Sequence, residues 1–188
     1  MEYCKRCCYP ANTKPMIIFD KQGVCSGCRY IEKFATPETS GINWQERKKL
    51  LEELLLDYKA KARERGNIYD CVIPVGGGKD SHYQAYIIKE VYKLNPLLVT
   101  FNHCFNTALG IRNLTNLVNK FHCDLLRFTI SPDSVRKIAR YMLRKIGDIT
   151  WHYHAGIMTF PIQTAVRYKI PLVIWGEQGF ADMFGMYR

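Results

Sequence analysis

The stretch that decides the fold reads Ile68-Tyr69-Asp70-Cys71-Val72-Ile73-Pro74-Val75, followed by Gly76-Gly77-Gly78-Lys79-Asp80-Ser81. Its first half is largely apolar and predicts a buried β-strand. We expect a helix to follow, from about His82 to Leu94. A strand, a glycine loop and a helix in that order predict a phosphate site. The glycines let the backbone approach an anion, and free N–H groups at the start of the helix face it.

The loop differs from two common glycine-rich nucleotide motifs. A Walker A loop requires Gly-x-x-x-x-Gly-Lys-Ser/Thr, whereas Asp80 follows Gly78-Lys79 and Ile73 stands where the first glycine should be. The pattern Gly-x-Gly-x-x-Gly also fails, since Lys79 or Ser81 falls at its last glycine. A plain glycine-rich turn is the alternative interpretation. The strand-loop-helix context favours the phosphate site.

Strand and helix patterns alternate along the rest of the chain. Further strands are predicted at Pro96–Phe101, Asp124–Thr129 and Pro171–Trp175, and helices at Thr107–His122, from Pro132 after a Ser131 cap, and at about Ala155–Lys169. This alternation predicts an α/β fold: a parallel sheet with helices on both faces. Ligands of such sheets sit beyond the carboxyl ends of the strands, at a topological switch point.

Polar residues follow two of these strands. Asn102 and His103 follow the second strand, where the nucleoside lies in this type of fold. Glu177 follows the last strand, and Asp182 lies a few residues further on. A carboxylate at a strand end can hold Mg²⁺ or orient a substrate. A cap for the next helix is the alternative role of Glu177.

Two Cys-x-x-Cys pairs near the N-terminus predict a zinc ribbon. They are Cys4 with Cys7 and Cys25 with Cys28, and seventeen residues separate the pairs. This spacing suits a tetrahedral four-cysteine zinc site. The segment 16–24 between the pairs predicts a short hairpin with a turn near 20–23, and metal ligation would supply the folding free energy of so small a unit. Redox or Fe–S chemistry is the alternative.

The remaining cysteines have no such pattern. We interpret Cys8 as a bystander of the zinc site. Cys71, Cys104 and Cys123 lie in apolar segments and are predicted to be buried small hydrophobic residues.

A linker and a long helix join the ribbon to the sheet. Residues 36–41 predict a linker, and a helix follows from Trp44 to Arg65 with Asn43 as its N-cap. The residues expected to line one side of this helix are Leu50, Leu51, Leu54, Leu55 and Tyr58. We expect this side to pack on the following domain; partner binding is the alternative. The predicted domains are a ribbon at 1–35, linker and helix at 36–66, and an α/β domain at 67–188.

Composition limits the classes of function. The 188-residue chain has a net charge of +10, which favours acidic partners such as nucleotides, although a merely basic surface is the alternative. We find neither an apolar run long enough to span a bilayer nor a secretory signal, and therefore expect a cytoplasmic protein.

Two further patterns have ordinary explanations. Arg136, Arg140 and Arg144 recur at helical spacing, which is typical of a solvated face and could also meet an acidic substrate. The segment Trp151-His152-Tyr153-His154 lacks a nearby carboxylate or cysteine that would complete a metal site. We interpret it as an active-site loop or as core histidines with satisfied hydrogen bonds.

The loop resembles the PP-loop of the ATP pyrophosphatases, Ser-Gly-Gly-x-Asp-Ser, although Gly76 stands where serine is usual. The resemblance implies that Gly77, Gly78 and Ser81 hold the pyrophosphate portion of ATP. It also implies that Lys79 adds charge and that Asp80 helps to hold Mg²⁺.

Nearly the whole chain is similar to the N-acetyl sugar amidotransferases of bacterial O-antigen and flagellin-glycan pathways. The stretches that carry the similarity, besides the loop, are Tyr3-Cys4-Lys5-Arg6-Cys7, Gly23-Val24-Cys25-Ser26-Gly27-Cys28, Pro74-Val75, His154-Ala155-Gly156-Ile157 and Trp175-Gly176-Glu177-Gln178-Gly179-Phe180. The resemblance implies that ATP activates an acetamido oxygen of a nucleotide-linked sugar and that ammonia from a separate glutaminase subunit gives an acetamidino group. Family members usually run longer, so we expect a fragment or a short relative with altered activity.

Two other functions stay open. A tRNA-modifying PP-loop enzyme would also join zinc, ATP and positive charge. Cys104 and Cys123, however, do not form the Cys-x-x-Cys pair of thiolating enzymes, and we expect no nucleic-acid partner. A non-catalytic nucleotide-binding module is the third hypothesis, supported by Gly76 and the short length.

Overall fold

The structure, a computed structural model, describes residues 2–12, 17–34 and 41–176. These residues fall into two compact units, one up to Leu51 and the other covering Glu52–Gly176. In the described ranges, every helix is too short or too polar to cross a membrane.

The N-terminal unit is a small hairpin followed by helix α1 (Ser26–Phe34). Phe19 and Cys25 form an antiparallel bridge. The Asp20 carboxylate closes the turn by accepting hydrogen bonds from the backbone N–H groups of Gln22 at 3.0 Å and Val24 at 2.9 Å. The predicted hairpin is confirmed over the part of segment 16–24 that the structure describes.

Helix α2 (Trp44–Glu64) begins where the capping pattern predicts. The Asn43 Oδ1 atom accepts a hydrogen bond from the Glu46 N–H at 3.1 Å. The predicted packing is confirmed only for the second half of the helix, where Leu55 and Ala62 are buried. It is wrong for three leucines: Leu50, Leu51 and Leu54 are 56%, 42% and 45% exposed.

The sheet contains three parallel strands in the order β1-β2-β3. They are β1 (Cys71–Pro74), β2 (Pro96–Asn102) and β3 (Leu125–Thr129). The chain returns to the other side of β1 at Val173, which forms a parallel bridge with Val72. Strand β1 therefore has β2 on one side and the segment around Val173 on the other, and both come later in the chain. The topological switch point is thus at β1.

The predicted last strand is reduced to this bridge, and Pro74 explains why. Val72 donates to the Leu172 carbonyl and accepts from the Ile174 N–H, both at 2.9 Å. The next residue of β1 that faces this side is Pro74, which has no N–H to donate to the Ile174 carbonyl. The Gln84 side chain donates to that carbonyl instead, at 3.3 Å.

Four helical segments connect these strands. They are α3 (Lys79–Ala85), which continues as a π-helical segment (Tyr86–Val91), α4 (Ala108–Phe121), α5 (Pro132–Ile146) and α6 (Trp151–Arg167). The Thr107 and Ser131 hydroxyls cap α4 and α5 by accepting backbone hydrogen bonds. Helix α6 starts four residues before the predicted Ala155.

Each face of the sheet has its own core, because strand side chains alternate between faces. On one face, Ile73 and Leu98 pack with Ala85 and Leu117 from the helices that follow β1 and β2. On the other, Val72, Leu97 and Val99 pack with Ala165 of α6. The predicted α/β class, a parallel sheet covered on both faces, is confirmed.

Candidate functional site

The glycine loop forms a closed turn directly after β1. The Ser81 hydroxyl oxygen accepts a hydrogen bond from the Gly76 N–H at 3.0 Å, which ties the two ends of the loop together. Gly77 has a φ of +82°, and a Cβ atom placed on it would lie 2.9 Å from the backbone nitrogen of Leu114 in α4. The left-handed backbone and this close approach together restrict the position to glycine.

The start of α3 presents backbone N–H donors beside the loop. Gly78 is the N-cap residue and makes no side-chain cap. The first intrahelical hydrogen bond runs from the His82 N–H to the Gly78 carbonyl, at 3.2 Å. The N–H groups of residues 79–81 precede this bond, so the helix itself provides no acceptor for them. Such groups form a ready site for a phosphate.

Lys79 and Asp80 place a cation and a carboxylate beside these donors. Their side chains are 88% and 78% exposed, and the Lys79 ammonium lies 2.7 Å from Asp80 Oδ1. The pair is weakly held at such exposure. Both groups can therefore turn to a phosphate oxygen or a divalent cation.

Asn102 and His103 lie at the same edge of the sheet as the loop, because β1 and β2 are parallel neighbours. Their side chains hold the segment after β2 in place. Asn102 donates to the Thr129 hydroxyl at 3.1 Å and accepts from the Cys104 N–H at 3.1 Å. His103 Nδ1 accepts from the Phe105 N–H at 3.0 Å. The two residues shape one wall of this edge.

The first turn of α6 contributes to the same edge, although the sequence analysis expected a loop or core histidines at these residues. The His103 ring lies 5.6 Å from that of Tyr153, and the Phe105 ring lies 6.2 Å from that of His152. His152 is 4% exposed, and neither ring nitrogen has a hydrogen-bond partner among the described residues. Residues 151–154 are helical, so the expected loop conformation is wrong, and His152 is not a core histidine with satisfied hydrogen bonds.

The chain that follows the Val173 bridge approaches α3. A Cβ atom on Gly176 would lie 2.9 Å from the Gln84 side-chain oxygen. Glu177 and Asp182 follow Gly176 in the chain and lie outside the described residues.

The four predicted zinc ligands, Cys4, Cys7, Cys25 and Cys28, come together in the N-terminal unit. Their sulfur atoms all lie within 4.8 Å of one another, and those of Cys7 and Cys25 are 3.7 Å apart. A tetrahedral site with Zn–S bonds of about 2.3 Å separates its sulfurs by about 3.8 Å. The geometry of the four thiols therefore suits zinc.

Backbone donors around the cluster favour a thiolate at Cys4. Burial opposes its ionisation, but N–H groups of Cys7, Cys25 and Arg6 outweigh this effect and lower the pKa of Cys4 to about 6. Burial raises the pKa of Cys25 and of Cys28. Zinc would supply the positive charge that these two thiols need to ionise.

The other singled-out residues lie as follows. Cys8 is exposed and outside the cluster, Cys71 and Cys123 are buried, and Cys104 is half-buried. The side chains of Arg136, Arg140 and Arg144 on α5 are exposed, as a solvated face requires.

Comparisons with known proteins leave the family open. No family model matches the chain. An uncharacterized protein of Methanocaldococcus jannaschii, MJ1599, is 26% identical over 159 residues, which cover 78% of this chain and 54% of that protein. The chain thus spans about half the length of this curated relative.

Two solved structures are similar at low identity. NMN synthetase from Francisella tularensis aligns with a TM-score of 0.46 and 16% identity, over 66% of this chain and 52% of that one. NH3-dependent NAD synthetase from Campylobacter jejuni aligns with a TM-score of 0.45 and 13% identity, over 70% and 56%. Likeness at this level assigns neither a family nor an activity to this chain.

Proposed function

We propose that this chain binds ATP at its glycine loop and uses it to convert an acetamido group of a nucleotide-linked sugar into an acetamidino group. The observation that carries the ATP site is the turn at residues 76–81. Its N–H donors lack a side-chain cap, and Gly77 keeps its surface free of a Cβ atom. This arrangement fits a pyrophosphate group.

The residues of the loop have different roles in the proposed reaction. Backbone N–H groups of residues 77–81 hold the β- and γ-phosphates. Lys79 neutralises charge on the leaving pyrophosphate, and Asp80 holds Mg²⁺, which spreads that charge further. Glu177 is the proposed second carboxylate, while Asn102 and His103 position the nucleoside. Zinc at the four cysteines has a structural role, since a closed four-thiolate site offers no open position.

Every atom is accounted for in the proposed reaction. The amide oxygen of the sugar attacks the α-phosphorus of ATP, and pyrophosphate leaves. Ammonia from a partner glutaminase adds to the activated carbon, AMP departs with the former amide oxygen, and the released protons go to solvent. The sugar substrate and the partner rest on the sequence resemblance, not on the loop.

A pyrophosphate-release assay tests this proposal. The full chain receives ATP, Mg²⁺ and an ammonium salt, with candidate nucleotide sugars in one arm and bulk tRNA in the other. We expect release that requires both a sugar and ammonium and that falls at least about tenfold in Asp80→Asn. Release with tRNA alone would favour the tRNA-modifying alternative. ATP binding without release in any arm would favour a non-catalytic module.

A further inference from the structure

One buried histidine has no role in the proposed function as described so far. His152, in the first turn of α6, is 4% exposed, and among the residues that the structure describes neither of its ring nitrogens has a hydrogen-bond partner. Buried polar groups normally have a partner, because their lost hydration otherwise goes uncompensated. An imidazole without one is therefore free to bind a ligand that reaches it.

A close contact one turn further along α6 fixes the position of this histidine. His152 and Gly156 are four residues apart and so lie on the same side of the helix. A Cβ atom on Gly156 would lie 2.4 Å from the Phe101 ring of β2, so the glycine lets α6 pack directly on the strand. The side of α6 that carries His152 thus faces the end of β2 and the segment that follows it.

Aromatic rings from that segment and from α6 lie beside the histidine. The Phe105 ring lies 6.2 Å from the His152 ring in an edge-to-face arrangement. The His103 ring lies 5.6 Å from that of Tyr153. Phe105 is 65% exposed, so the ring that lies against His152 is itself open to solvent and can change rotamer when a ligand arrives. Such a ring also packs well on the apolar C–H face of a sugar.

A carboxylate beside these rings favours an uncharged ligand. The Asp148 carboxylate accepts hydrogen bonds from the Thr150 hydroxyl at 2.5 Å and from the Thr150 N–H at 2.7 Å. These hydrogen bonds hold the pKa of Asp148 below its usual value, and positive charge on His154 and His152 adds to this effect. Asp148 is therefore ionised and close to both histidines. Its negative charge disfavours a phosphate at this place.

We propose that His152 forms a hydrogen bond with the acetamido group of the sugar substrate, while the sugar ring packs on Phe105. A neutral imidazole has one donor and one acceptor, and a secondary amide also has one of each, so the two groups match without a change in charge. This inference rests on the proposed function, and it assigns the acetamido end of that substrate to the first turn of α6. His152 then selects an acetamido sugar over one with a shorter hydroxyl at the same carbon.

Calorimetric titration of the full chain with two nucleotide sugars tests this role. The ligands are UDP-N-acetylglucosamine and UDP-glucose, which has a hydroxyl in place of the acetamido group. We expect the acetamido sugar to bind at least about fivefold more tightly, and His152→Phe to remove this preference, because one buried hydrogen bond is lost. ATP affinity should stay the same. The melting temperature of His152→Phe should equal or exceed that of the wild type, since a buried polar group without a partner is replaced by an apolar ring.

A second variant and a control complete the design. Phe105→Ala removes a largely exposed ring, so the chain should stay folded and bind both sugars at least about threefold more weakly. The control His122→Asn also removes an imidazole. His122 is exposed at the edge of the sheet where β3 begins, and asparagine tolerates its left-handed φ of 49°. This control should bind both sugars as the wild type does.

Several outcomes would overturn the inference. They are an unchanged preference in folded His152→Phe, unchanged sugar affinity in Phe105→Ala, and a wild type that binds neither sugar or both equally. An equal loss of ATP affinity in His152→Phe would also overturn it, because the ring would then support the ATP site.

Pyrophosphate release separates this inference from the proposed reaction. If the preference depends on His152 but sugar, ammonium and ATP give no release, the role of His152 stands and the reaction is contradicted. If release requires sugar and ammonium but the KM for the sugar is the same in His152→Phe, the reaction stands and the inference fails.

Discussion

At the scale of single residues, the candidate site depends on atoms that are missing. Gly77 leaves room for α4 to approach the loop, and Gly78 leaves the N–H groups at the start of α3 without a side-chain cap. These donors are available to an anion because no side chain caps them. The loop therefore works through its backbone, and side-chain additions are the sharpest way to probe it.

Adding one methyl group at Gly77 should disable the loop. Gly77→Ala would meet the Leu114 backbone at 2.9 Å in a left-handed conformation, so we expect a loss of about 1–3 kcal/mol in unfolding free energy and at least about tenfold weaker ATP binding. The control is Gly66→Ala, where φ is +73° but the added Cβ atom would have no neighbour within 4 Å in the part of the chain that the structure describes. Thermal melts and ATP titration compare the two variants. Equal effects would show that crowding against α4 is irrelevant.

Adding a hydroxyl at Gly76 should have the opposite effect. No described residue lies within 4 Å of a Cβ atom at this position, and its φ is outside the left-handed region. Gly76→Ser restores the serine that is usual in the resembling loop. We expect stability within about 0.5 kcal/mol of wild type and ATP binding about fivefold tighter, as one added hydrogen bond gives. Weaker ATP binding in a folded variant would contradict this role.

Removing one thiol should release the metal. Loss of an outer-shell partner lowers metal affinity by about 10–100-fold, and we expect Cys4→Ser to lower zinc affinity by more than this. The N-terminal unit should lose its fold together with the metal. Cys8→Ser is the control, since Cys8 lies outside the cluster. Elemental analysis after dialysis against a chelator measures zinc per chain. Full zinc retention by Cys4→Ser, or visible absorbance of an Fe–S cluster, would be incompatible with a four-thiolate zinc site.

At the scale of elements, the sequence predicted strands β2 and β3 well and the fourth segment badly. Buried apolar runs identify the strands, whatever their neighbours. Whether the segment around Val173 forms a strand depends on the donors of its neighbour, and Pro74 removes the next one. No local pattern in 171–175 carries that information.

The candidate site also has a part that could be predicted from the sequence and a part that could not. The glycine loop could be predicted because its residues are adjacent in the chain. The contact between Phe105 and His152 could not, because it joins segments far apart in sequence. An aromatic-rich stretch such as 151–154 indicates that its rings pack against other residues. Only the fold shows which residues they contact.

Helix α2 should be coupled to the sheet through a buried carboxylate. Asp70 is fully buried, accepts from the Asn95 N–H at 2.7 Å and lies 3.0 Å from Arg63 Nη2 of α2. Arg63→Ala leaves this charge with fewer partners, so we expect a loss of about 1–3 kcal/mol in unfolding free energy. Lys61→Ala, which removes only exposed contacts with Asp57 and with the Tyr58 ring, is the control. Urea unfolding measures both, and equal losses would show that the buried pair has no special role.

At the scale of the whole molecule, the described residues form two compact units, and each contains one of the two candidate sites. The thiol cluster holds together a unit with a very small core, and the α/β unit presents its loops at the carboxyl edge of the sheet. The switch point at β1 explains why the glycine loop, which follows this strand, is the first place to look for a ligand. The proposed function therefore depends on what binds at that edge of the sheet.

The most direct measurement is an amide chemical-shift titration of the full chain with ATP and Mg²⁺. We expect the largest shifts on the N–H groups of residues 76–81, and Ser81→Ala should reduce these shifts at equal ATP concentration. Largest shifts elsewhere, for example around Arg127 and Phe128, or no shifts at saturating ATP, would contradict an ATP site at the glycine loop.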